Sequence, residues 1–213
     1  MWVERVQYAV GQGGFHGAGV YTGPLRDAYT QPNFTYVYDC GSDQHEQLDH
    51  AIERFVARFG DIDALFVSHL DRDHVNGIDS LLSIADVNTV YLPYIDDFHL
   101  VLELLEAAGG GGLSGSLIEA SLDPAGWFGR RGVKRIVRLR PGSPEADGIP
   151  IEPSPDADMD RPKIMPKILP DPGENEIVDE RREGFRAKSY EIVSGSSIVL
   201  QTPSGLLDWI LIP

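Results

Sequence analysis

The run Ala64-Leu65-Phe66-Val67 is apolar at four consecutive positions, and it constrains the fold more than any other stretch. Alternating apolar and polar residues make a strand with one wet face. A short continuous run makes a strand covered on both faces, the kind found in parallel sheets between helical layers. The flanking segments agree. Leu48, Ile52, Phe55, Val56 and Phe59 recur at helical spacing, with Asp43 and Glu46 as a capping box and Gly60 as the stop. Beyond the run, 76–85 reads as a helix, 88–94 as a strand, 96–109 and about 114–122 as helices, and 133–139 as a strand. Residues 2–10 and 34–39 also read as strands, joined through the glycine-dense stretch "GQGGFHGAG", a tight hairpin or a phosphate cradle. This order predicts an α/β layered architecture.

The apolar run opens into "SHLDRDHVNG". His69, Asp71, Asp73 and His74 lie within six positions, and Gly77 closes the stretch. The carboxyl end of a buried parallel strand is where α/β proteins place ligands. His69 and Asp71, two apart, can face the same way from an extended turn, and Asp73 and His74 follow as the chain enters the next helix. Mixed imidazole and carboxylate donors suit zinc, manganese or iron(II). Two such ions about 3.5–4 Å apart would polarise a phosphoryl or acyl oxygen. The plainer reading is a polar loop in which Asp73 caps the following helix; that accounts for one of the four residues.

This turn resembles the metal signature of the metallo-β-lactamase superfamily, His-x-His-x-Asp-His followed by glycine, with Asp71 where most members have histidine. The His-x-Asp-x-Asp-His form resembles the hydrolase domains of bacterial DNA-uptake channel proteins and some phosphorylcholine esterases. "AVGQGGF" is similar to the first hairpin of the DNA-uptake type. "YVYDCGS", residues 36–42, is similar to the strand that precedes the first helix in this superfamily.

The resemblance implies an αββα sandwich and two divalent metal ions, zinc or manganese. His69 and Asp71 would hold one ion, and Asp73 and His74 the other. Asp73 would also act as the catalytic group that orients the attacking water, while Asp39 would hydrogen-bond a ligand from behind. The superfamily normally adds later histidines and a bridging aspartate. Here the six histidines end at His99, the reserve candidate. The expectation is therefore a domain incomplete at its C-terminus, with its remaining ligands in a longer chain.

Composition bounds the rest. The 213 residues, 42% of them hydrophobic, suit one medium domain. Its expected parts are an N-terminal half over 1–140, an extended or disordered insertion over 141–188, and the start of a second sheet over 189–213. Nine of the fifteen prolines fall in 141–172, and 141–183 carries twelve acidic against five basic residues, which predicts a stretch largely free of helix and strand. Cys40 is the single cysteine, so no internal disulfide forms, and a reducing, cytoplasmic setting is expected. No run approaches a membrane span. The net charge of −15 repels nucleic acid at long range without excluding a local cationic groove.

Such a groove is offered by "GRRGVKRIVRLR", 129–140, where Arg130, Arg131, Lys134, Arg135 and Arg138 are candidate backbone-phosphate contacts; the alternative is an edge strand guarded by charge. The preferred function is a metal-dependent phosphodiesterase or nuclease acting on nucleic acid. Similar domains with proline-rich insertions stand at the front of bacterial anti-phage NTPase proteins, which implies such a partner and a defence role. Two alternatives stay open: a catalytically weak domain used for sensing or assembly, and a thioester or lactone hydrolase. A serine hydrolase is disfavoured, because no Gly-x-Ser-x-Gly elbow accompanies Ser196, Ser197 or Ser204. Cys40 reads as a small core residue rather than a nucleophile.

Overall fold

The structure is a computed structural model that describes residues 2–22, 30–93, 115–140, 165–169, 176–177, 187–193, 197–202 and 205–211. Its strands are β1 (Trp2–Gln7), β2 (Gly13–Tyr21), β3 (Phe34–Ser42), β4 (Ile62–Phe66), β5 (Val87–Pro93), β6 (Arg135–Arg140), β7 (Met165–Leu169), β8 (Glu176–Ile177), β9 (Lys188–Val193), β10 (Ser197–Thr202) and β11 (Gly205–Leu211). Its helices are α1 (His45–Phe59), α2 (Arg72–Val75), α3 (Ile78–Ile84), α4 (Gly115–Leu122) and α5 (Pro124–Arg130).

One sheet has eight strands in the order β1-β2-β3-β4-β5-β6-β9-β8. Strands β1, β2 and β3 are antiparallel; β3, β4, β5, β6 and β9 run parallel; β8 closes antiparallel on β9. A second, three-stranded antiparallel sheet has the order β11-β10-β7. The expected α/β class with a mixed sheet and helices is met.

Strand β4 sits between β3 and β5, and both of its faces are covered. Leu65 joins a cluster with Phe15, Val37, Leu48, Phe55 and Trp127, while Ala64 and Phe66 join Phe34, Tyr36, Tyr91 and Val137 on the other face. This double burial is what the continuous apolar run requires. Helix α1 presents Leu48, Ile52, Phe55 and Phe59 to the first cluster. Phe55 meets Tyr8 and Phe15 edge-on and tilts against Phe59. Burying such a ring contributes about 1.5–3 kcal/mol.

Five expectations are corrected by the fold. "GQGGFHGAG" is mostly strand, not turn: β2 begins at Gly13 and pairs with both β1 and β3. Glycine disfavours strands, but here it makes room. A Cβ at Gly17 would lie 2.4 Å from the Phe55 ring, and one at Gly19 would lie 2.9 Å from Phe59. The basic strand β6 is not an edge, since β5 and β9 flank it on either side. Within 141–183, β7 and β8 are strands, and β9 extends the first sheet through β6 rather than starting the second. The capping box is absent too: Gln44 is the N-cap of α1, Ser42 Oγ accepts the Gln44 N–H, and Asp43 pairs instead with Arg72. The helix expected over 96–109, with His99, lies outside the described residues.

Cys40 is fully buried in the first cluster, and burial pushes its thiol well above the ordinary range. We expect a thiol reagent to leave the native protein unmodified and to titrate one thiol once denaturant is added. Rapid native-state labelling would contradict this placement.

Candidate metal centre

The site is built where β3 and β4 end side by side. In the pairing of β2 with β3, Phe15 faces Cys40 and the next pair is His16 with Tyr38, so Asp39 is the extra residue of a bulge. Its φ of 57° is the one positive value among the described non-glycine residues. Bulges re-aim side chains, and strained backbone concentrates at functional sites. The Asp39 carboxylate, 4% exposed as a residue, is turned toward the chain that leaves β4.

Three donors converge on it. The Ser68 N–H reaches Oδ1 at 2.8 Å, the Ser68 hydroxyl lies 2.7 Å from Oδ2, and His74 Nδ1 lies 2.9 Å from the same oxygen. A carboxylate only accepts, so His74 carries its proton on Nδ1 and has Nε2 free. The His69 and His74 rings stand 3.9 Å apart between centroids, tilted by 46°. One ligand atom each from Asp39, His69 and His74 falls within 4.8 Å of the others. Asp71 stands beside them, its Oδ2 3.4 Å from His69 Nε2.

Asp71, not Asp73, holds the N-cap position of α2, and its side chain makes no capping bond. The polar-loop reading therefore fails for both aspartates. Asp73 lies half-buried in α2. It is outside the three-residue cluster.

Helix α2 is short, so the body of the fold holds the turn in place. The Asn76 side chain accepts from Ser42 N–H at 2.9 Å and donates to Ser42 O at 2.8 Å. The Gly77 N–H donates to Cys40 O at 2.9 Å. Glycines let the turn press on the sheet. A Cβ at Gly41 would lie 2.5 Å from the His74 carbonyl carbon, and one at Gly13 would lie 2.4 Å from Asp73 O. Ser68, Asn76, Gly13 and Gly41 are parts of the site that the spacing of ionisable residues does not reveal. The "VGQGGF" and "DCGS" glycines were its available signal, once read as close approach rather than as turn.

The donor set fits a divalent ion. Two imidazoles stand side by side, and His69 has the Asp71 carboxylate alongside; this mixture suits zinc, manganese or iron(II). Both oxygens of Asp39 are already engaged, so its place is behind the ligands. A family model described as the metallo-beta-lactamase superfamily matches residues 28–185, more than half of the chain. The chain belongs to the metallo-beta-lactamase superfamily. Members of this superfamily are generally metal-dependent hydrolases. No curated protein and no solved structure gives a significant match.

The basic residues fall into two groups. Arg130 pairs with Glu119. Arg131 lies 3.7 Å over the Trp127 ring and bonds Asp79, Ser116 and the Trp127 carbonyl. Arg131 is committed to these partners, while the Arg130–Glu119 pair lies exposed at the surface. Lys134 and Arg135 stand just before and at the start of β6, at the end of the parallel strands away from the centre. Arg138 is nearer. Phe66 pairs with Tyr91 and Tyr91 with Val137, so Arg138 is level with Val67, two strands across and roughly 10 Å away.

Proposed function

We propose that this domain is a metal-dependent phosphodiesterase acting on nucleic acid. The observation that carries the metal-centre reading is the convergence of Asp39, His69 and His74, one ligand atom of each within 4.8 Å of the others, with Asp71 beside His69. On this reading His69 and Asp71 hold one ion, and His74 and Asp73 a second. When bound, the ions supply Lewis-acid polarisation of a phosphoryl oxygen and activation of water. Asp73 would accept a hydrogen bond from that water and so orient it toward phosphorus. Arg138 offers a guanidinium to the polyanion at the same end of the sheet. The phosphodiester preference is further supported by the aspartate-substituted turn and the "VGQG" hairpin, and a defence NTPase as partner by the resemblance to domains with proline-rich insertions. All three rest on resemblance.

The test is cleavage of DNA and RNA by the protein with manganese or zinc, and its arrest by a chelator. Asp73→Ala should lower kcat far more than it raises KM, because it removes a group that acts on the attacking water and leaves the rest of the substrate held as before. Phosphodiesters left uncut by metal-loaded protein would defeat the proposal. A second reading, a domain that senses or assembles, is favoured by the donors among the described residues all coming from β3 and the 69–74 turn.

Binding also separates the basic residues. Replacing Arg138 with Gln should flatten the salt dependence of nucleic-acid binding, by a slope of about 0.9 for each phosphate that is no longer neutralised. Arg135→Gln should do so less, given its place at the opposite end of the strand. An unchanged slope in both would remove the basic strand from the account.

A further inference from the structure

The Ser68 hydroxyl lies 2.7 Å from Asp39 Oδ2 and 2.7 Å from His69 Nδ1. It has one proton to give. Giving it to His69 would leave two acceptors, the serine oxygen and the Asp39 carboxylate, facing each other at 2.7 Å. The proton therefore goes to Asp39, and the serine lone pair faces Nδ1, which must carry its own proton; Asp71 Oδ2 lies 3.4 Å from Nε2 on a mostly exposed side chain and makes the longer, weaker claim on the ring. We propose that Ser68 is a positioning residue that fixes His69 with its proton on Nδ1, so that one buried carboxylate sets both imidazoles, His74 directly and His69 through the serine.

The consequence is specific. An imidazole in water favours the proton on Nε2, the nitrogen this site needs bare. Asp39 overcomes that preference at His74 by touching it. It reaches His69 only through Ser68, the residue that also anchors its main-chain N–H on Asp39 Oδ1 at 2.8 Å. Residue 68 thus needs a hydroxyl for its chemistry, beyond any need for its size. The consequence for metal binding rests on the metal-centre reading; the tautomer does not.

The test is long-range ¹H–¹⁵N NMR of the metal-free 213-residue chain under chelator, with zinc titration by calorimetry alongside. Wild type should show His69 protonated at Nδ1 and bare at Nε2. Ser68→Val should move His69 toward the Nε2–H form and weaken zinc binding about 10- to 100-fold, the usual cost of losing an outer hydrogen bond to a ligand. Ser68→Thr, equal in shape to valine but bearing a hydroxyl, should restore both. An Nε2–H signal for His69 in the wild type overturns the proposal without any variant, as does a valine variant with the wild-type tautomer. If the tautomer moves as stated while wild type takes up no zinc, the relay stands and the metal-centre reading falls.

Discussion

Asp39→Ala is expected to weaken zinc or manganese binding by about 10- to 100-fold or more, since outer partners of a ligand are commonly worth that much and this one serves two. The substitution leaves the Ser68 N–H, the Ser68 hydroxyl and His74 Nδ1 without their acceptor. Each buried donor so stranded costs about 1–3 kcal/mol. None of that is returned, because alanine keeps the Cβ and takes the positive φ of this position less readily than aspartate does. Asp39→Asn separates the two effects. Asparagine tolerates the left-handed backbone but places an NH₂ where one of two acceptors stood. It should fold with wild-type stability to within about 1–2 kcal/mol and still bind metal poorly. Calorimetric titration with chemical denaturation in parallel reads both. Wild-type metal affinity in Asp39→Asn would mean that the carboxylate does not orient the histidines.

Gly41→Ala should be among the most damaging single methyls in the described residues, and unlike Gly13, whose φ is 130°, it acts by close approach alone. The added Cβ would meet the carbonyl carbons of His74 and Asp73 at 2.5 and 2.6 Å, which are backbone atoms with no rotamer to escape into. Overpacking of this kind typically costs about 1–3 kcal/mol. The larger effect is local: helix α2 must lift off β3, carrying His74 away from Asp39. Metal affinity should therefore fall by more than stability does. Gly115→Ala is the control, since a Cβ there meets nothing within 4 Å. It should gain up to about 1 kcal/mol from helix propensity. A Gly41→Ala protein that binds metal as tightly as wild type would show that the turn is not held by close backbone approach.

The parts of this fold that were readable are those where burial writes a pattern. The double-sided apolar run announced β4, and the stripe from Leu48 to Phe59 announced α1. The sequence cluster from His69 to His74 announced the centre, since four ligand-type side chains in six positions have few other uses. What escaped depends on partners distant in sequence. Strand β2 hid behind its glycines, which are small because Phe55 and Phe59 occupy the space above Gly17 and Gly19. Helix α5 went unread although Asp123 caps it, accepting from Gly126 N–H, and Pro124 opens it. That signal is local and was legible. The embedding of β6 depends on β9, far along the chain, where Lys188 is the partner of Arg135. Ser68 is the clearest case. Nothing about a serine before a histidine states that its hydroxyl will face an aspartate twenty-nine positions earlier.

The central claim is that Asp39 and the 69–74 turn form a metal centre, and metal content tests it most directly. Purified protein should be loaded with zinc or manganese, desalted and assayed by elemental analysis, beside a His69→Ala/His74→Ala variant shown to be folded. The account predicts about two equivalents in the wild type, as expected of a two-metal hydrolase, and near zero in the double variant. A folded wild type that retains no metal, or retains as much as the double variant, would contradict it.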